Sequence, residues 1–277
     1  DTRTTTQLTH GARGTGRTHG LPEFIAQEEM GRHHGFWWST DSAHIAFAVV
    51  DETHIPVWRI AHPGKDTPTW EDHRYPFAGK ANAVVGLAVV SSAGGEAVIM
   101  DLTAGGTVPM EYLARVHWMP DGRLLALVQD RSQCRQDWVC LDPKTGSGTI
   151  LFTEHTEVWH NLHSIFHAFA ESRPGCFLWA TERTGFRHLV IVDANGHVGK
   201  PLTRGEWQVD EVQGVDESNG QVYFTASADG PLHRHLYRMP VEGGEMQRVT
   251  SAPGMHSPVL NRTFTQFVDT HHSTQQA

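Results

Sequence analysis

Trp38-Ser39-Thr40-Asp41 returns 80 residues later as Trp118-Met119-Pro120-Asp121, each time directly ahead of an apolar run. That interval is two units of about 40 residues, so the motif points to a repeated structural unit. A second marker is an apolar residue followed by Thr, as in Leu8-Thr9, Phe152-Thr153, Leu202-Thr203 and Val249-Thr250; the last three are spaced by 50 and 47 residues. Turn signals precede them, as Leu141-Asp142-Pro143-Lys144-Thr145-Gly146, Val192-Asp193-Ala194-Asn195-Gly196 and Val241-Glu242-Gly243-Gly244. Helical periodicity is scarce after residue 31, while short β-rich runs alternate with Gly, Asp, Asn and Pro turns. Four short strands in roughly 40 to 50 residues are the signature of a β-propeller blade, so the expected fold is all-β.

Blades are expected at about 36–75, 82–110, 112–153, 162–203 and 208–250, five complete units within one partial propeller domain over 1–277. The tail of another blade would end near Thr9, and Met255 to Val268-Asp269 would open one more. An array cut at both ends leaves outer faces uncovered, so the chain reads as a fragment. Thr270-His271-His272-Ser273-Thr274-Gln275-Gln276-Ala277 reads as a low-complexity lead into further sequence.

Composition narrows the function classes. Of 277 residues 39% are hydrophobic, ample for a core. The net charge of −9, from 22 basic and 31 acidic residues, disfavours nucleic acid and suits a cationic or peptide ligand. No apolar run approaches the roughly 20 residues of a membrane span, so no membrane partner is expected; Asp1-Thr2-Arg3-Thr4 lacks signal-peptide character, which carries no information in a chain that begins inside a longer protein, and the compartment is read as unknown, leaning cytoplasmic. Cys134, Cys140 and Cys176 have no CxxC spacing and read as reduced structural residues.

Leu21-Pro22-Glu23-Phe24-Ile25-Ala26-Gln27-Glu28-Glu29-Met30 has apolar residues at 21, 24 and 25, a proline in the first turn and Gly31 as a stop, which predicts a helical insert over about 21–31. Its end carries two adjacent carboxylates. Neighbouring helical residues point about 100° apart, so Glu28 and Glu29 meet on one small cation only where the helix end faces a cavity; otherwise they are solvated surface acids. Arg32, four residues after Glu28, is placed to brace it.

Gln27-Glu28-Glu29-Met30-Gly31-Arg32 followed by Gly35-Phe36-Trp37-Trp38-Ser39 resembles the double-glutamate motif of the dipeptidyl peptidase IV family, in the prolyl oligopeptidase group of serine peptidases. The resemblance continues through Val50-Asp51-Glu52-Thr53, Arg74-Tyr75-Pro76-Phe77-Ala78-Gly79-Lys80-Ala81-Asn82, Thr184-Gly185-Phe186-Arg187-His188-Leu189, Gly205-Glu206-Trp207-Gln208-Val209 and Pro231-Leu232-His233-Arg234-His235-Leu236-Tyr237. Trp159-His160-Asn161-Leu162-His163-Ser164-Ile165-Phe166-His167 is most similar to the eight/nine-like and bacterial branch. The resemblance implies an eight-bladed propeller followed by an α/β-hydrolase domain that is absent here. It further implies a dipeptidyl peptidase acting on peptides with a free N-terminus and penultimate Pro or Ala. Glu28 and Glu29 would bind the substrate α-ammonium, with self-association into a homodimer as a further expectation. A propeller arginine that the family places upstream of the double glutamate is not in this chain.

Other motifs carry less. The family's nucleophile elbow, G-x-S-x-G, is missing; Gly146-Ser147-Gly148 lacks the spacing and falls in an expected hairpin turn. The residues therefore nominate no catalytic group, and no cofactor is expected. Among twenty histidines, His160, His163 and His167 would share a helical face and suit zinc, but Ile165 to Ala170 alternates like a strand, which favours satisfied or exposed rings and no metal. Trp37, Trp38, Trp118 and Trp179 are expected to pack between blades, and Arg187-His188 reads as a hairpin feature. A competing class is a non-catalytic propeller that binds proteins or peptides as a scaffold.

Overall fold

The structure, a computed structural model, describes residues 5–64, 66–106 and 109–274. Asp1-Thr2-Arg3-Thr4 and the Gln275-Gln276-Ala277 end of the tail lie outside the described residues. The chain divides after Leu162 into two compact units.

In the first unit, β1 (Arg17–His19), α1 (Phe24–Glu28), β2 (Phe36–Trp38), β3 (His44–Asp51), β4 (Val57–His62), β5 (Thr69–Arg74), β6 (Val84–Ser91) and β7 (Val98–Ile99) come first. They are followed by β8 (Tyr112–Trp118), β9 (Leu124–Gln129), β10 (Arg135–Leu141) and β11 (Gly148–His155). The second unit holds β12 (His167–Ala168), β13 (Phe177–Thr181), β14 (His188–Val192), β15 (Val209–Asp216), β16 (Gln221–Ala226), β17 (His235–Pro240), β18 (Gln247–Arg248), β19 (Met255–Leu260) and β20 (Phe267–His272). All pairings between these strands are antiparallel. β8 to β11 and β15 to β18 are four-stranded meanders, β12 to β14 a three-stranded one, and β19–β20 a hairpin.

Central strands follow from their composition. Leu124-Leu125-Ala126-Leu127-Val128-Gln129 is buried throughout, as a strand covered on both faces must be. Leu87, Val89, Leu113, Leu124 and Val139 form the core of the first unit; Phe169, Leu189, Val222, Phe224 and Tyr237 form that of the second. Outer strands β7 and β18 are only two residues long, which blunts the sheet edge.

The segments expected as blades 36–75 and 82–110 share one sheet. β3 pairs with β6 along eight residues, from His44↔Ser91 to Asp51↔Val84, and β7 follows β6. β4 and β5 instead form a separate hairpin whose residues are nearly all exposed. Arg59 pairs with Asp72, and Glu71 with His62 and His73. So many charged groups on both faces cannot enter a blade core, whereas Val84-Val85-Gly86-Leu87-Ala88-Val89-Val90 can.

Both repeat markers have a physical cause. Asp41 Oδ1 accepts from Ala43 N at 3.0 Å and Asp121 Oδ1 from Arg123 N at 3.1 Å, so each W-x-x-D closes the turn into a second strand. The Trp118 indole donates to the Trp37 carbonyl at 3.0 Å and joins the two first strands. The marker threonines reach back to a polar residue on the neighbouring strand: Thr153 donates to Asp137 at 2.7 Å, Thr203 meets His188 Nδ1 at 3.0 Å, and Thr250 meets His235 Nδ1 at 2.9 Å. The last two hydroxyls also accept Leu189 N and Leu236 N. His188 Nε2 lies 3.0 Å from the Gly205 carbonyl, which can only accept, so that nitrogen carries a proton. Burial, then the charges of His256 and Arg248, lower the His235 pKa, and burial lowers that of His188.

Several expectations need correction. The low-complexity tail is ordered at its start, since Thr270, His271 and His272 belong to β20. Trp179 is buried as expected, but Trp38 lies on a first strand and is exposed. Gly146-Ser147-Gly148 lies where the β10–β11 hairpin turns, with Gly146 at φ 79°.

Candidate functional site

The double glutamate sits on an insert that interrupts a strand. β1 pairs with Val49 to Asp51 and β2 with Ile45 to Phe47, so the two short strands run end to end along β3. Ala48 lies between those registers. Its carbonyl accepts from Gly20 N at 2.9 Å and its N–H donates to the Gly35 carbonyl at 2.7 Å. A Cβ on Gly35 would lie 2.6 Å from the Leu21 carbonyl carbon, so only glycine permits the entering and leaving backbones to touch.

Within the insert, α1 covers only Phe24–Glu28, shorter than the expected 21–31, with Glu23 as N-cap and Glu29 as C-cap. Pro22 leads in, and Gly31 at φ 60° reverses the chain so that Arg32 N returns to the Ala26 carbonyl at 2.9 Å. A five-residue helix is unstable alone and must be held by its surroundings. Ala26 and Met30 are buried, and Phe24 packs edge-on against Tyr75 at 4.9 Å.

Arg32 does not brace Glu28. Its side chain turns inward, 3% exposed, and Nη2 pairs with Glu23 Oε2 at 2.7 Å, while Nε donates to the Leu113 carbonyl at 3.0 Å and Nη1 to the His34 carbonyl at 3.2 Å. The Gly31 reversal turns the chain out of the helical register that an i, i+4 pair needs. Arg115 on β8 donates to the Met30 carbonyl at 2.8 Å, immediately after Glu29. Glu23 Oε1 is buried without a hydrogen-bond partner among the described residues. Burial and the nearby Arg32 charge lower the Arg115 pKa; burial, then Arg115, push the His117 imidazole down to about 3. Burial, then Glu23, raise the Glu52 carboxyl against the pull of Arg74.

On this clamped backbone Glu28 and Glu29 are both exposed, and among the described residues neither carboxylate has a hydrogen-bond or ion-pair partner. Two adjacent anions without internal neutralisation are suited to a cationic group supplied from outside. A separate cavity of about 720 Å³ is lined by residues including Trp118, Arg123, Cys140 and Lys144, and neither glutamate borders it.

The other histidine candidates are occupied. His160 Nε2 faces the Glu154 carbonyl, His163 Nε2 the Ala180 carbonyl, and His167 Nε2 the Glu217 carboxylate. No group of three or more metal-ligating side chains forms among the described residues. His188, beside Arg187, is a buried strand-joining residue. Residue patterns missed β1, Glu23 as an ion-pair partner, and Arg115 altogether. The Gly20 and Gly35 bracket around the insert was the one available signal for the interrupted strand.

Comparison with known proteins bears on this arrangement. The structure aligns with the crystal structure of Porphyromonas gingivalis dipeptidyl peptidase 4 at a TM-score of 0.82 and 21% identity, covering 96% of this chain and 37% of that one, so the fold is that of a β-propeller with four-stranded antiparallel blades. In sequence it is 28% identical to dipeptidyl peptidase 8 of Mus musculus, covering 89% of this chain and 35% of the relative. It is also 28% identical to venom dipeptidyl peptidase 4 of Apis mellifera, covering 82% of this chain and 31% of the relative. The chain thus spans about a third of the length of these relatives. The family model described as the dipeptidyl peptidase IV (DPP IV) N-terminal region matches residues 1–277, and the chain belongs to that family.

Proposed function

We propose that this chain is the substrate-binding and gating propeller portion of a serine dipeptidyl peptidase that removes N-terminal dipeptides with penultimate Pro or Ala. Glu28 and Glu29 bind the substrate α-ammonium, and the Ser-Asp-His triad resides in an α/β-hydrolase domain of the full-length protein. The observation that carries this reading is the pair of exposed carboxylates, without partners among the described residues, on a backbone fastened by the buried Arg32 and the half-buried Arg115. An exopeptidase must measure distance from a free amine, and a fixed anionic anchor supplies that reference. At ~4 Å and an effective dielectric of ~20, each ion pair is worth up to about 4 kcal/mol before desolvation, enough to separate a free amine from a blocked one.

The test is kcat/KM of the full-length protein on a Gly-Pro or Ala-Pro chromogenic amide. Glu28→Gln or Glu29→Gln removes a charged hydrogen bond of ~1.5 to 3 kcal/mol, a loss of roughly ten- to a hundredfold. Acetylating the substrate amine reproduces the loss. Wild-type kcat/KM in both variants, with discrimination against acetylated substrate intact, would overturn the assignment. The 277-residue chain alone turns over neither amide, since its sequence holds no G-x-S-x-G nucleophile. Self-association belongs to the same reading and is checked by light scattering. The scaffold alternative draws on the exposed Trp58 and Trp70 of the β4–β5 hairpin, and predicts peptide or protein binding indifferent to a free N-terminus.

A further inference from the structure

We propose that Arg32 and Arg115 are positioning residues for the double glutamate: they fix the backbone around Glu28 and Glu29 to β8 and so set where the substrate amine is held. The inference rests on the α-ammonium reading above and adds the groups that make the anchor rigid.

Three features carry it. First, the helix bearing Glu28 has five residues, too few to hold its own shape, so its position is dictated by its attachments. Second, those attachments bracket the glutamates. Arg32 binds the side chain of Glu23 at the start of the helix and the His34 and Leu113 carbonyls beyond its end, while Arg115 binds the Met30 carbonyl next to Glu29. Leu113 and Arg115 both lie on β8, so both arginines tie the insert to one strand of a neighbouring sheet. Third, the arrangement contributes little net stability. A buried ion pair roughly offsets its own desolvation, and Glu23 Oε1 is left without a partner among the described residues. What the pair supplies is definite geometry: a guanidinium donates in fixed directions, and here three of its nitrogens reach three separate segments. Neither arginine touches the exposed carboxylates in this structure, so both act through the backbone.

The test is a double-mutant cycle in the full-length protein, read as kcat/KM on a free-amine dipeptidyl amide and on its N-acetylated counterpart. Arg115→Met is expected to lower free-amine kcat/KM about tenfold, mainly through KM, and to leave the acetylated rate within twofold. Arg115→Lys restores most of the loss. In a Glu28→Gln/Glu29→Gln background, Arg115→Met should change free-amine kcat/KM by less than twofold, because the groups it positions are already disabled. If Arg115→Met does not fold, the paired change Glu23→Gln/Arg32→Met carries the same cycle, since it removes both buried charges together. An equal loss in both backgrounds, or an equal loss on both substrates, overturns the positioning role. The two readings fail separately. If the double glutamine variant keeps its free-amine preference, the α-ammonium anchor falls and this inference with it. If that variant loses the preference and Arg115→Met does not, only the positioning role falls.

Discussion

Replacing Thr250 by valine isolates the cross-strand device behind the second repeat marker. The side chain keeps its branch at Cβ and nearly its volume, so strand propensity and packing are preserved. It loses the hydroxyl that accepts the Leu236 N–H at 3.1 Å and meets His235 Nδ1 at 2.9 Å, in a site where His235 is 1% and Thr250 5% exposed. Each buried group left without a partner costs about 1 to 3 kcal/mol, and allowing for local relaxation the pair sums to about 2 to 4 kcal/mol. Thr250→Ser keeps both hydrogen bonds and loses one methyl, about 1 kcal/mol. The urea midpoint gives the global effect, and hydrogen exchange at the Leu236 amide the local one. A loss of ~3 kcal/mol corresponds to exchange roughly a hundredfold faster. Equal midpoints and equal exchange in the valine and serine variants would refute the reasoning, because the hydroxyl would then contribute nothing that a methyl does not.

The same substitution at Thr203, read at the Leu189 amide, should give the same ranking of valine and serine, since the His188 geometry is the same. Burial raises the Glu217 carboxyl, but donation by Ala170 N, Ser172 N, the Ser172 hydroxyl and Glu171 N outweighs it and pulls the pKa down to about 2. Because the folded value lies below the unfolded one, its stabilisation is complete above about pH 4.5 and disappears as pH falls through about 2. Glu217→Gln should flatten that part of an acid titration of the melting temperature, and an unchanged acid limb would count against the assignment. Gly35→Ala drives a methyl into the Leu21 backbone and should cost about 1 to 3 kcal/mol while weakening free-amine selectivity; a variant as stable as wild type would show that the two backbones can part freely. Arg32→Met alone strands the Glu23 carboxylate in a buried site and should destabilise by about 3 to 5 kcal/mol, whereas Glu23→Gln/Arg32→Met should recover most of that in thermal melts.

Much of the architecture was legible because its signals are local. W-x-x-D is a turn whose carboxylate bonds two residues ahead, and apolar-Thr marks a hydroxyl that bonds a neighbouring strand at Thr153, Thr203 and Thr250. Glu28 and Glu29 were legible as a motif and stand exposed side by side. What escaped depends on partners remote in sequence. The Arg32 contact with Glu28 was inferred from helical spacing, but Gly31 ends that spacing one residue earlier, and the acceptors lie as far away as Leu113. Arg115 looks like any polar residue on a strand until Met30 is brought to it. β4 and β5 carry Trp and Ile at strand-like density, and only their salt-bridged charges on both faces distinguish them from blade strands.

The contact between Gly35 and Leu21 makes residues 21 to 34 a closed side loop on an otherwise continuous strand. Because Ala48 bonds Gly20 on one side and Gly35 on the other, the β3 ladder continues across the excursion, whose remaining ties run to β8 through Arg32 and Arg115. Loop closure costs rise only slowly with length, roughly 0.6 kcal/mol per doubling, so the exposed part of the excursion tolerates changes in length as long as the buried Glu23–Arg32 pair and the Arg115–Met30 contact are kept. The segment that carries Glu28 and Glu29 is in this sense a module set on a continuous strand. It could be grafted between two adjoining strand halves of an unrelated sheet, provided the host offers a glycine at the crossing and a neighbouring strand with a donor in the place of Arg115.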